Sequence, residues 1–553
     1  MSQSTPCGAP VGPWTDGTTA DLEADVVVIG SGAAGLASAL SAQHEGADVV
    51  LLEKAATLGG TTIKSSAWAW YPNHEGVRGD EKADALRYMA RLSRPEAYDP
   101  GSPTLGLQRW RYDLLEAFYD HAADAIAAMN AWGVKSVNLP EFPDYYSYLP
   151  ENRTPYGRTH RPVTVDGEPA GADEMIRQGA ENITKNGGRI LTEHAVTGVL
   201  TADGAVVGVV ARRGDAPVVV RARRGVIFAS GGFASDEGAR ADHLAAPILG
   251  TCAAPTNTGD FLVIAEALGA PLRNMTYPWM TLMTLEDAIE HDPEVKSLFH
   301  PPGDSMLFVN GEGQRTLNEK SPYNELAQML QRWDPASATY PELFQFMIWD
   351  QACQDLHGND RRANPIPPSG APAPHVVTGR TLDELAAAFV ERVERLRPHA
   401  PRLSISEDFA TNLKASVARF NAGAVDAVDP DFQRGERPIE RAFNLMFTGG
   451  IRDERNPLLH PLSDTGPYYG TIIVPAALDT KGGPQINPRA EVVGADGKPI
   501  PGLYGAGNCV ASPAGKSYWA AGATIGPAVT FGYLAGRHAA QAPVREQRTA
   551  VAA

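Results

Sequence analysis

The sequence GSGAAG, from Gly30 to Gly35, follows a short apolar run and opens an Ala- and Leu-rich segment. The preceding run, residues 25–29, is too short for a helix and has the composition of a strand buried on both faces. Residues 33–46 carry apolar side chains at helical spacing, and residues 48–52 form a second short apolar run. Together these segments predict a βαβ unit with a parallel sheet.

The pattern G-x-G-x-x-G between a strand and a helix is typical of a dinucleotide site. Its glycines allow a tight turn and a close approach to a pyrophosphate, and the helix N-terminus presents free N–H groups and a positive dipole end. Glu53 ends the second apolar run, where a carboxylate can accept hydrogen bonds from ribose hydroxyls. We therefore predict dinucleotide binding, with a purely structural Gly-rich turn as the alternative.

The residues after Glu53 favour FAD over NAD. Lys54 leads into a second Gly-rich stretch, residues 59–62, which can wrap a further phosphate or ring, and Gly505-Ala506-Gly507-Asn508 recurs near the C-terminus. A chain that returns at its end to close the nucleotide site resembles flavoproteins of the glutathione-reductase-like Rossmann type. FAD is therefore the predicted cofactor.

Length and charge limit the classes of function. The chain has 553 residues, more than the roughly 250–300 at which single cores stop growing, so we expect two or more domains. Its formal charge of −17 argues against nucleic acid as a partner. The four cysteines are scattered without metal-like spacing, so no metal site is predicted. With no secretory signal and no run of about 18 apolar residues, we expect a cytoplasmic protein without a transmembrane segment.

The composition changes along the chain and predicts an inserted domain. Residues 226–229 and 502–507 have the character of further strands of the first sheet, whereas residues 382–396 and 409–421 are amphipathic helical stretches. The predicted segments, in order, are a flexible tail 1–22, an FAD-binding domain 23–280, a catalytic or substrate domain 281–480, the C-terminal part of the FAD-binding domain 481–540, and a flexible tail 541–553.

Ordered motifs within residues 22–540 resemble the flavoprotein subunits of fumarate reductase and succinate dehydrogenase, and within that family the 3-ketosteroid dehydrogenases, with the Δ1-type most similar. The motifs are residues 59–73, 257–260, 309–315, 419–421, 431–435, 466–469, 480–483 and 515–536. The resemblance implies a Rossmann-like α/β FAD-binding domain with an inserted α+β catalytic cap domain. It also implies hydride exchange at flavin N5 across a C–C bond next to a carbonyl.

The resemblance further implies which residues bind FAD. These residues are Gly30, Gly32, Ala33, Ala34, Gly35, Glu53, Lys54, Gly60, Thr61, Thr62, Ser65, Ser66, Val196, Gly231, Asn257, Asp260, Gly507, Asn508, Ala523 and Ile525. No histidine occurs in residues 59–71, near where succinate dehydrogenases attach their flavin. We therefore predict non-covalent FAD.

Tyrosines are the candidates for the chemistry on the substrate. Removing hydrogen from adjacent carbons beside a ketone needs a donor to the carbonyl oxygen, a base for the α proton and an acceptor for the β hydride, here FAD. Tyrosine, with an ordinary pKa of about 10, suits the donor role as a neutral hydroxyl. It suits the base role only if its phenolate is stabilised or if it hands the proton on.

In the Δ1-type family, a C-terminal tyrosine and a backbone N–H four residues later bind the carbonyl oxygen. Tyr518 and Gly522 match these positions without a gap, and Tyr323 in the N-E-K-S-P-Y segment matches the proton-abstracting tyrosine. The tyrosine that assists the base lies in a Tyr/Pro-rich loop, for which Tyr145, Tyr146 and Tyr148 are candidates. Tyr146 is preferred. Packed core or surface tyrosines are the alternative.

The sequence departs from the Δ1-type motif Y-P-G-P-G, because here it reads Y-W-A-A-G. We expect Trp519 to reshape the substrate pocket beside the carbonyl. Tyr468 and Tyr469 lie where Δ4-type enzymes carry a catalytic tyrosine, so they are predicted pocket residues that compete for the base role or else belong to a structural strand pair. The basic residues 153–161 are predicted as a solvated loop, with contact to an anionic substrate tail as the alternative.

Two other classes of function remain open from the sequence. Fumarate reductases hold dicarboxylates with His and Arg, and Arg434 and Arg452 are present, but the tyrosine-rich site and Lys481 in the T-K-G-G segment favour an apolar ketone. A flavin-binding module without catalysis is the other alternative, and the retained tyrosine candidates argue against it. The predicted partners are a small cyclic ketone and an unknown electron acceptor.

Overall fold

The computed structural model describes residues 9–75, 81–291, 300–361, 364–447 and 449–545. The chain forms two compact units. The first comprises Met1–Ala245, Ala253–Trp279 and Asp479–Ala553, and the second comprises Ala246–Cys252 and Met280–Leu478. Among the described helices, none is long and apolar enough to cross a membrane.

The strands of these residues, in chain order, are β1 (Val11–Pro13), β2 (Leu22–Ile29), β3 (Val49–Leu52), β4 (Ala69–Trp70), β5 (Ser136–Asn138), β6 (Thr159–Pro162), β7 (Arg189–Leu191), β8 (Ala195–Ala202), β9 (Ala205–Arg213), β10 (Ala216–Phe228), β11 (Gly250–Thr251), β12 (Leu272–Arg273), β13 (Trp279–Thr284), β14 (Met306–Val309), β15 (Gln345–Asp350), β16 (Val377–Gly379), β17 (Tyr468–Asp479), β18 (Gly483–Pro484), β19 (Glu491–Val493) and β20 (Pro499–Gly505). The helices are α1 (Ala33–His44), α2 (Lys82–Ser93), α3 (Arg109–Ala131), α4 (Ala172–Lys185), α5 (Glu237–His243), α6 (Asp260–Ala267), α7 (Leu285–Glu290), α8 (Tyr323–Met329), α9 (Gln351–His357), α10 (Leu382–Leu396), α11 (Phe409–Val425), α12 (Pro438–Phe447) and α13 (Ile525–Gln541). Short 3₁₀ turns are formed by Thr62–Lys64 and Gly507–Cys509.

The sheet of the first unit has the strand order β1-β8-β9-β10-β2-β3-β7, and β20 also pairs with β10. Strands β10, β2, β3 and β7 run parallel, and so does β20 beside β10, whereas β8, β9 and β10 are joined as antiparallel neighbours. Val26, Val27 and Val28 are fully buried, as expected for a strand covered on both faces. The predicted βαβ unit, β2-α1-β3, is confirmed.

Glycines on the last helix allow it to pack closely against the first. A Cβ atom added at Gly532 would lie 2.5 Å from the Ala34 carbonyl oxygen, and one at Gly536 would lie 2.2 Å from the Ser38 carbonyl oxygen. The backbones of α13 and α1 therefore approach more closely than side chains would permit. This contact fixes both helices beside the Gly-rich turn.

The second unit is built on a mixed sheet with the order β11-β17-β15-β14, and β13 and β16 also pair with β17. Alternate side chains of β15 enter two different cores, with Phe346 and Ile348 in one and Met347 and Trp349 in the other. The predicted amphipathic helices are α10 and α11, whose Phe389 and Phe409 join the first of these cores. This sheet is therefore buried on both faces.

Two predicted segment limits are corrected by the structure. The predicted tail 1–22 contains β1, which pairs in parallel with β8, and residues 9–21 are part of the first unit. Ala246–Cys252 belong to the second unit because β11 pairs with β17, although the sequence places them in the FAD-binding domain. Residues 1–8 and 546–553 lie outside the described residues. Short strands such as β1 and β11 carry no periodic pattern by which they could be predicted.

Candidate active site

Glu53 holds the Gly-rich turn between β2 and α1. Its carboxylate accepts hydrogen bonds from the Ser31 N–H at 3.0 Å, from the Ser31 hydroxyl at 2.5 Å and from the Ala55 N–H at 2.8 Å. The Ser31 hydroxyl in turn accepts from the Gly59 N–H at 2.8 Å. The buried carboxylate therefore ties the end of β3 to both Gly-rich stretches.

The first turn of α1 offers donors to an anion. The Ala33 N–H donates to Thr62 Oγ1 at 3.1 Å, but the N–H groups of Gly32, Ala34 and Gly35 donate to no residue in the described part of the chain. Such N–H groups at a helix N-terminus suit a pyrophosphate. The predicted FAD residues of this turn therefore fit the phosphates of that cofactor.

The second Gly-rich stretch is anchored by Thr61 and leaves open space at Gly60. Thr61 Oγ1 accepts from the Ala254 N–H and from Asn257 Nδ2, both at 3.0 Å. Gly60 has a φ of +49°, and an added Cβ atom would meet nothing within 4 Å. The Ser65 hydroxyl donates to the Thr62 carbonyl at 2.7 Å, and Ser66 is exposed.

Asp479 joins three of the segments predicted to bind the cofactor, although no sequence motif indicated this residue. Its Oδ2 accepts from Asn257 Nδ2 at 2.7 Å, from Asn508 Nδ2 at 3.0 Å and from the Gly232 N–H at 3.2 Å. Burial raises the pKa of the Asp479 carboxyl, while its hydrogen bonds lower it. The position of an aspartate directly before the T-K-G-G segment is the sequence feature that could have indicated this role.

The remaining predicted cofactor residues lie in the first unit, and some are bound to one another. Lys54 Nζ is 2.9 Å from Asp260 Oδ2 and donates to Thr258 Oγ1 at 2.8 Å. The others are placed as follows: Val196 in β8, Gly231 and Gly507 in left-handed conformations, the Ala523 N–H bonded to the Ala520 carbonyl, and Ile525 at the start of α13.

The segment 518–522 is held by its carbonyl groups. The Trp519 carbonyl accepts from the Tyr88 hydroxyl at 2.6 Å and from the Tyr145 N–H at 3.2 Å. These bonds come from α2 and from the tyrosine loop, residues 145–148. The backbone of the segment is therefore fixed from two sides.

Gly522 ends this segment in a conformation that favours glycine. Its φ is +91°, and an added Cβ atom would lie 2.5 Å from both the Ala69 nitrogen and the Trp68 carbonyl oxygen. The Gly522 carbonyl accepts from the Trp70 N–H at 3.0 Å. Within the described ranges, the Gly522 N–H itself donates to no protein group.

The ring of Tyr518 is packed between other aromatic side chains and is 4% exposed. It stacks on Tyr145, with the ring centroids 5.6 Å apart and an interplanar angle of 14°, and it meets Trp279 edge-on at 5.3 Å. Tyr146, the tyrosine preferred from the sequence, packs instead against Tyr148 at 6.1 Å. The structure therefore brings Tyr145 to Tyr518, and it adds Trp279, which no sequence motif indicated.

Trp519 lies in the core of the first unit, among aromatic side chains. Its ring is fully buried, stacks on Phe118 at 5.8 Å and meets Trp70 at 5.4 Å, and its Nε1 donates to the Met89 carbonyl at 3.3 Å. These contacts anchor the segment 518–522 to α2 and α3. The expectation that Trp519 shapes the substrate pocket has no support in these contacts.

Arg158 forms a buried ion pair, which corrects the prediction of a wholly solvated basic loop. Its Nη2 lies 2.5 Å from Asp144 Oδ2, both side chains are 1% exposed, and its guanidinium stacks over the Trp70 ring at 4.8 Å. Trp70 Nε1 donates to Asp144 Oδ1 at 2.8 Å. Because Asp144 directly precedes Tyr145, this pair fixes the loop that stacks on Tyr518.

Tyr323 belongs to the second unit, where it begins α8 and is 3% exposed. Its ring meets Phe443 edge-on at 6.3 Å. The preceding Glu319 is fully buried and forms ion pairs with Arg315 at 2.8 Å and with Arg434 at 3.3 Å. The segment that carries Tyr323 is therefore held by buried charges.

Tyr468 and Tyr469 begin strand β17 of the second unit, and their hydroxyl groups bond within it. The Tyr468 hydroxyl donates to the Ser463 carbonyl at 2.7 Å, and the Tyr469 hydroxyl donates to Gln351. The Tyr469 ring stacks on Trp349 at 6.1 Å. These contacts favour the structural strand over the base role.

A group of possible metal ligands occurs in the second unit. Oxygen, sulfur and nitrogen atoms of Asp304, Cys353 and His357 lie within 4.8 Å of one another. However, Arg452 forms an ion pair with Asp304, and burial raises the pKa of the Cys353 thiol. A metal cation would be repelled by the guanidinium and would need the thiol deprotonated, so this group does not suit a metal site.

Comparison with known proteins gives the family. The model of the FAD binding domain family matches residues 25–525. The 4-oxocyclohexanecarboxylate 2-dehydrogenase of Sinomonas cyclohexanicum is 31% identical, over 93% of this chain and 92% of the relative. The 3-oxosteroid 1-dehydrogenase of Mycobacterium tuberculosis is 30% identical, over 94% of this chain and 98% of the relative.

A solved structure shares the fold. The 3-ketosteroid delta1-dehydrogenase from Sterolibacterium denitrificans, in complex with 1,4-androstadiene-3,17-dione, matches with a TM-score of 0.78. The identity is 24%, over 94% of this chain and 99% of the other. The α/β fold with a FAD-binding domain is thus confirmed, and so is FAD as the cofactor. The chain belongs to the FAD binding domain family, and it is a FAD-dependent dehydrogenase of the group that includes ketosteroid dehydrogenases and fumarate reductases.

Proposed function

We propose that this dehydrogenase introduces a C=C bond α,β to the ketone of a cyclic, 3-ketosteroid-like substrate. One observation on residues 518–522 supports the proposal. Their backbone is fixed by hydrogen bonds, and the Gly522 N–H donates to no described protein group. Relatives that carry ketone dehydrogenase names support the same class of reaction.

In this proposal, Tyr518 and Gly522 bind the substrate carbonyl. The Tyr518 hydroxyl and the Gly522 N–H donate to the ketone oxygen and stabilise the negative charge that develops there as the α proton leaves. Tyr323 takes the α proton, breaking one C–H bond. Bound FAD would supply the two-electron acceptor for the hydride of the β carbon, so that the loss of this hydride and of the α proton leaves a C=C bond in the substrate.

A tyrosine of the loop 145–148 assists the base. The sequence favours Tyr146, whereas the stack of Tyr145 on Tyr518 favours Tyr145. The turnover rates of Tyr145→Phe and Tyr146→Phe distinguish the two candidates, because only the variant of the assisting tyrosine loses a hydroxyl that catalysis needs. We also keep non-covalent FAD and a cytoplasmic location as parts of the proposal.

Reduction of an unsaturated dicarboxylate is the second candidate, and the contacts of two arginines disfavour it. Arg434 is fully buried and donates to the carbonyls of Leu458 and Met306. Arg452 donates to Asp304 and Ser305. Both guanidinium groups are therefore engaged by the protein.

Anaerobic mixing of the holoenzyme with a ketone panel tests the proposal. The panel contains a saturated-ring 3-ketosteroid, 4-oxocyclohexanecarboxylate and an acyclic ketone, and the signal is loss of the visible absorbance of oxidised flavin. We expect both cyclic ketones to reduce the flavin. The rates of flavin reduction with the two compounds show whether the steroid or the monocyclic keto acid is the better substrate. If no ketone reduces the flavin, and fumarate instead reoxidises pre-reduced enzyme, the dicarboxylate candidate replaces the proposal.

A further inference from the structure

Trp279 stands between the predicted cofactor segments and Tyr518, and the proposed function gives it no role. The side chain is 1% exposed, and its Nε1 donates to Asn508 Oδ1 at 3.0 Å. Asn508 Nδ2 in turn donates to Asp479 Oδ2. One edge of the indole is therefore fixed to the C-terminal Gly-rich turn.

The ring of Trp279 also contacts Tyr518, which is predicted to donate a hydrogen bond to the substrate carbonyl. It meets the Tyr518 ring at 5.3 Å with an interplanar angle of 77°, an edge-to-face contact that restricts how the tyrosine can tilt. With Tyr145 stacked on the same ring, the phenol has two aromatic neighbours at different angles. The position of the Tyr518 hydroxyl therefore depends on where the indole is held.

Lys481 strengthens the same arrangement. Its Nζ lies 4.2 Å from the centroid of the Trp279 ring and donates to the Ser517 carbonyl at 3.1 Å. The side chain is fully buried, where a cation–π contact is worth more than at the surface. Lys481 thus joins the indole to the residue directly before Tyr518.

We propose that Trp279 is a positioning residue for Tyr518, and that its bond to Asn508 couples this position to the cofactor segment. The proposal rests on the proposed function, because it assumes that Tyr518 binds the substrate carbonyl. It predicts that loss of the indole N–H weakens FAD retention and catalysis together.

The first test needs no substrate. Trp279→Phe keeps an aromatic ring but leaves Asn508 Oδ1 without its donor, so FAD should dissociate from the diluted holoenzyme about tenfold more readily, measured by free-flavin fluorescence. Trp110→Phe is the matched control, because Trp110 Nε1 donates to another side-chain amide oxygen, Gln108 Oε1, at 2.8 Å on the surface. Equal FAD retention in both variants would overturn the coupling.

The second test is a double-mutant cycle on turnover at saturating FAD. We expect Trp279→Phe to lower kcat about tenfold in the wild-type background, with little change in KM, and less than about twofold in the Tyr518→Phe background. If Trp279→Phe lowers kcat by the same factor in both backgrounds, Trp279 does not position Tyr518, and the proposed function is not affected. If no ketone reduces the wild-type enzyme, the positioning role fails together with the proposed function.

Discussion

Among single residues, Gly522 occupies a backbone position that has no room for a side chain. Its φ of +91° lies in the region that favours glycine, and an added Cβ atom would overlap the backbone at Trp68 and Ala69. The N–H that this conformation presents is the predicted second donor to the substrate carbonyl. Only glycine can therefore hold the N–H of residue 522 in this position without strain.

Gly522→Ala should therefore damage both stability and catalysis. We expect the free energy of unfolding to fall by about 1–3 kcal/mol from strain, and kcat to fall about 10²-fold or more as the N–H moves. Thermal melts and steady-state turnover measure the two effects. Gly17→Ala is the control, because its added Cβ atom would meet only Thr15 Oγ1 at 4.0 Å. Wild-type turnover in Gly522→Ala would exclude the N–H as a donor.

Tyr518→Phe isolates the hydroxyl from the packing of the ring. The phenyl ring can keep its contacts with Tyr145 and Trp279, so we expect bound FAD and a normal melting temperature. Loss of one donor to the carbonyl oxygen should lower kcat about 10²–10³-fold. Stopped-flow flavin reduction measures this step. A rate within twofold of wild type would leave Tyr518 with a packing role only.

At the scale of elements, the contact between α13 and α1 explains the small residues near the C-terminus. Gly532 and Gly536 face the α1 backbone at distances that no Cβ atom would tolerate. Because α1 begins at the Gly-rich turn, this packing also sets the direction of its N-terminus. We therefore expect this packing to hold the Gly-rich turn in the position that the predicted cofactor site needs.

Gly536→Ala should test this contact. The added methyl group would lie 2.2 Å from the Ser38 carbonyl oxygen, so we expect a loss of about 1–3 kcal/mol in the free energy of unfolding. Denaturant unfolding of the holoenzyme and its FAD retention are the measurements, with Gly17→Ala again as control. An unchanged unfolding midpoint would show that the two helices can move apart without loss of stability.

The elements that sequence patterns predicted are those with a strong local apolar signal, either a continuous apolar run or apolar residues at helical spacing. The βαβ unit at β2-α1-β3 and the helix Leu382–Leu396 were predicted because burial imposes a regular apolar pattern on them. By contrast, β1 is three residues long and pairs with β8, a strand that lies far from it in the sequence. Trp279 and Asp479 escaped prediction because their contacts come from residues distant in sequence.

The stability of the whole molecule should depend on pH, because the first unit buries two histidines next to each other. The rings of His74 and His160 lie 4.6 Å apart, and burial lowers the pKa of His74 to about 4 and that of His160 to about 3. Neither ring nitrogen of His160 has a hydrogen-bond partner in the described residues. Protonation of this pair is therefore unfavourable in the folded state.

Stability should consequently fall in acid. The unfolded histidines have a pKa of about 6.5, so below that pH the unfolded state binds more protons than the folded state, and stability rises with pH up to about 6.5. Each unit of pKa difference corresponds to about 1.4 kcal/mol. Unfolding free energies measured at several pH values should show this slope, and His160→Gln should reduce it. The same slope in both proteins would exclude His160 as a cause.

One anaerobic turnover tests whether this chain desaturates a cyclic ketone. Holoenzyme is mixed with a saturated-ring 3-ketosteroid, the flavin absorbance is recorded, and the product is analysed by mass spectrometry. We predict that each reduced flavin accompanies one steroid that has lost two hydrogens and gained a conjugated C=C bond. If the flavin stays oxidised and the steroid is unchanged, and 4-oxocyclohexanecarboxylate is equally inert, the enzyme does not desaturate cyclic ketones.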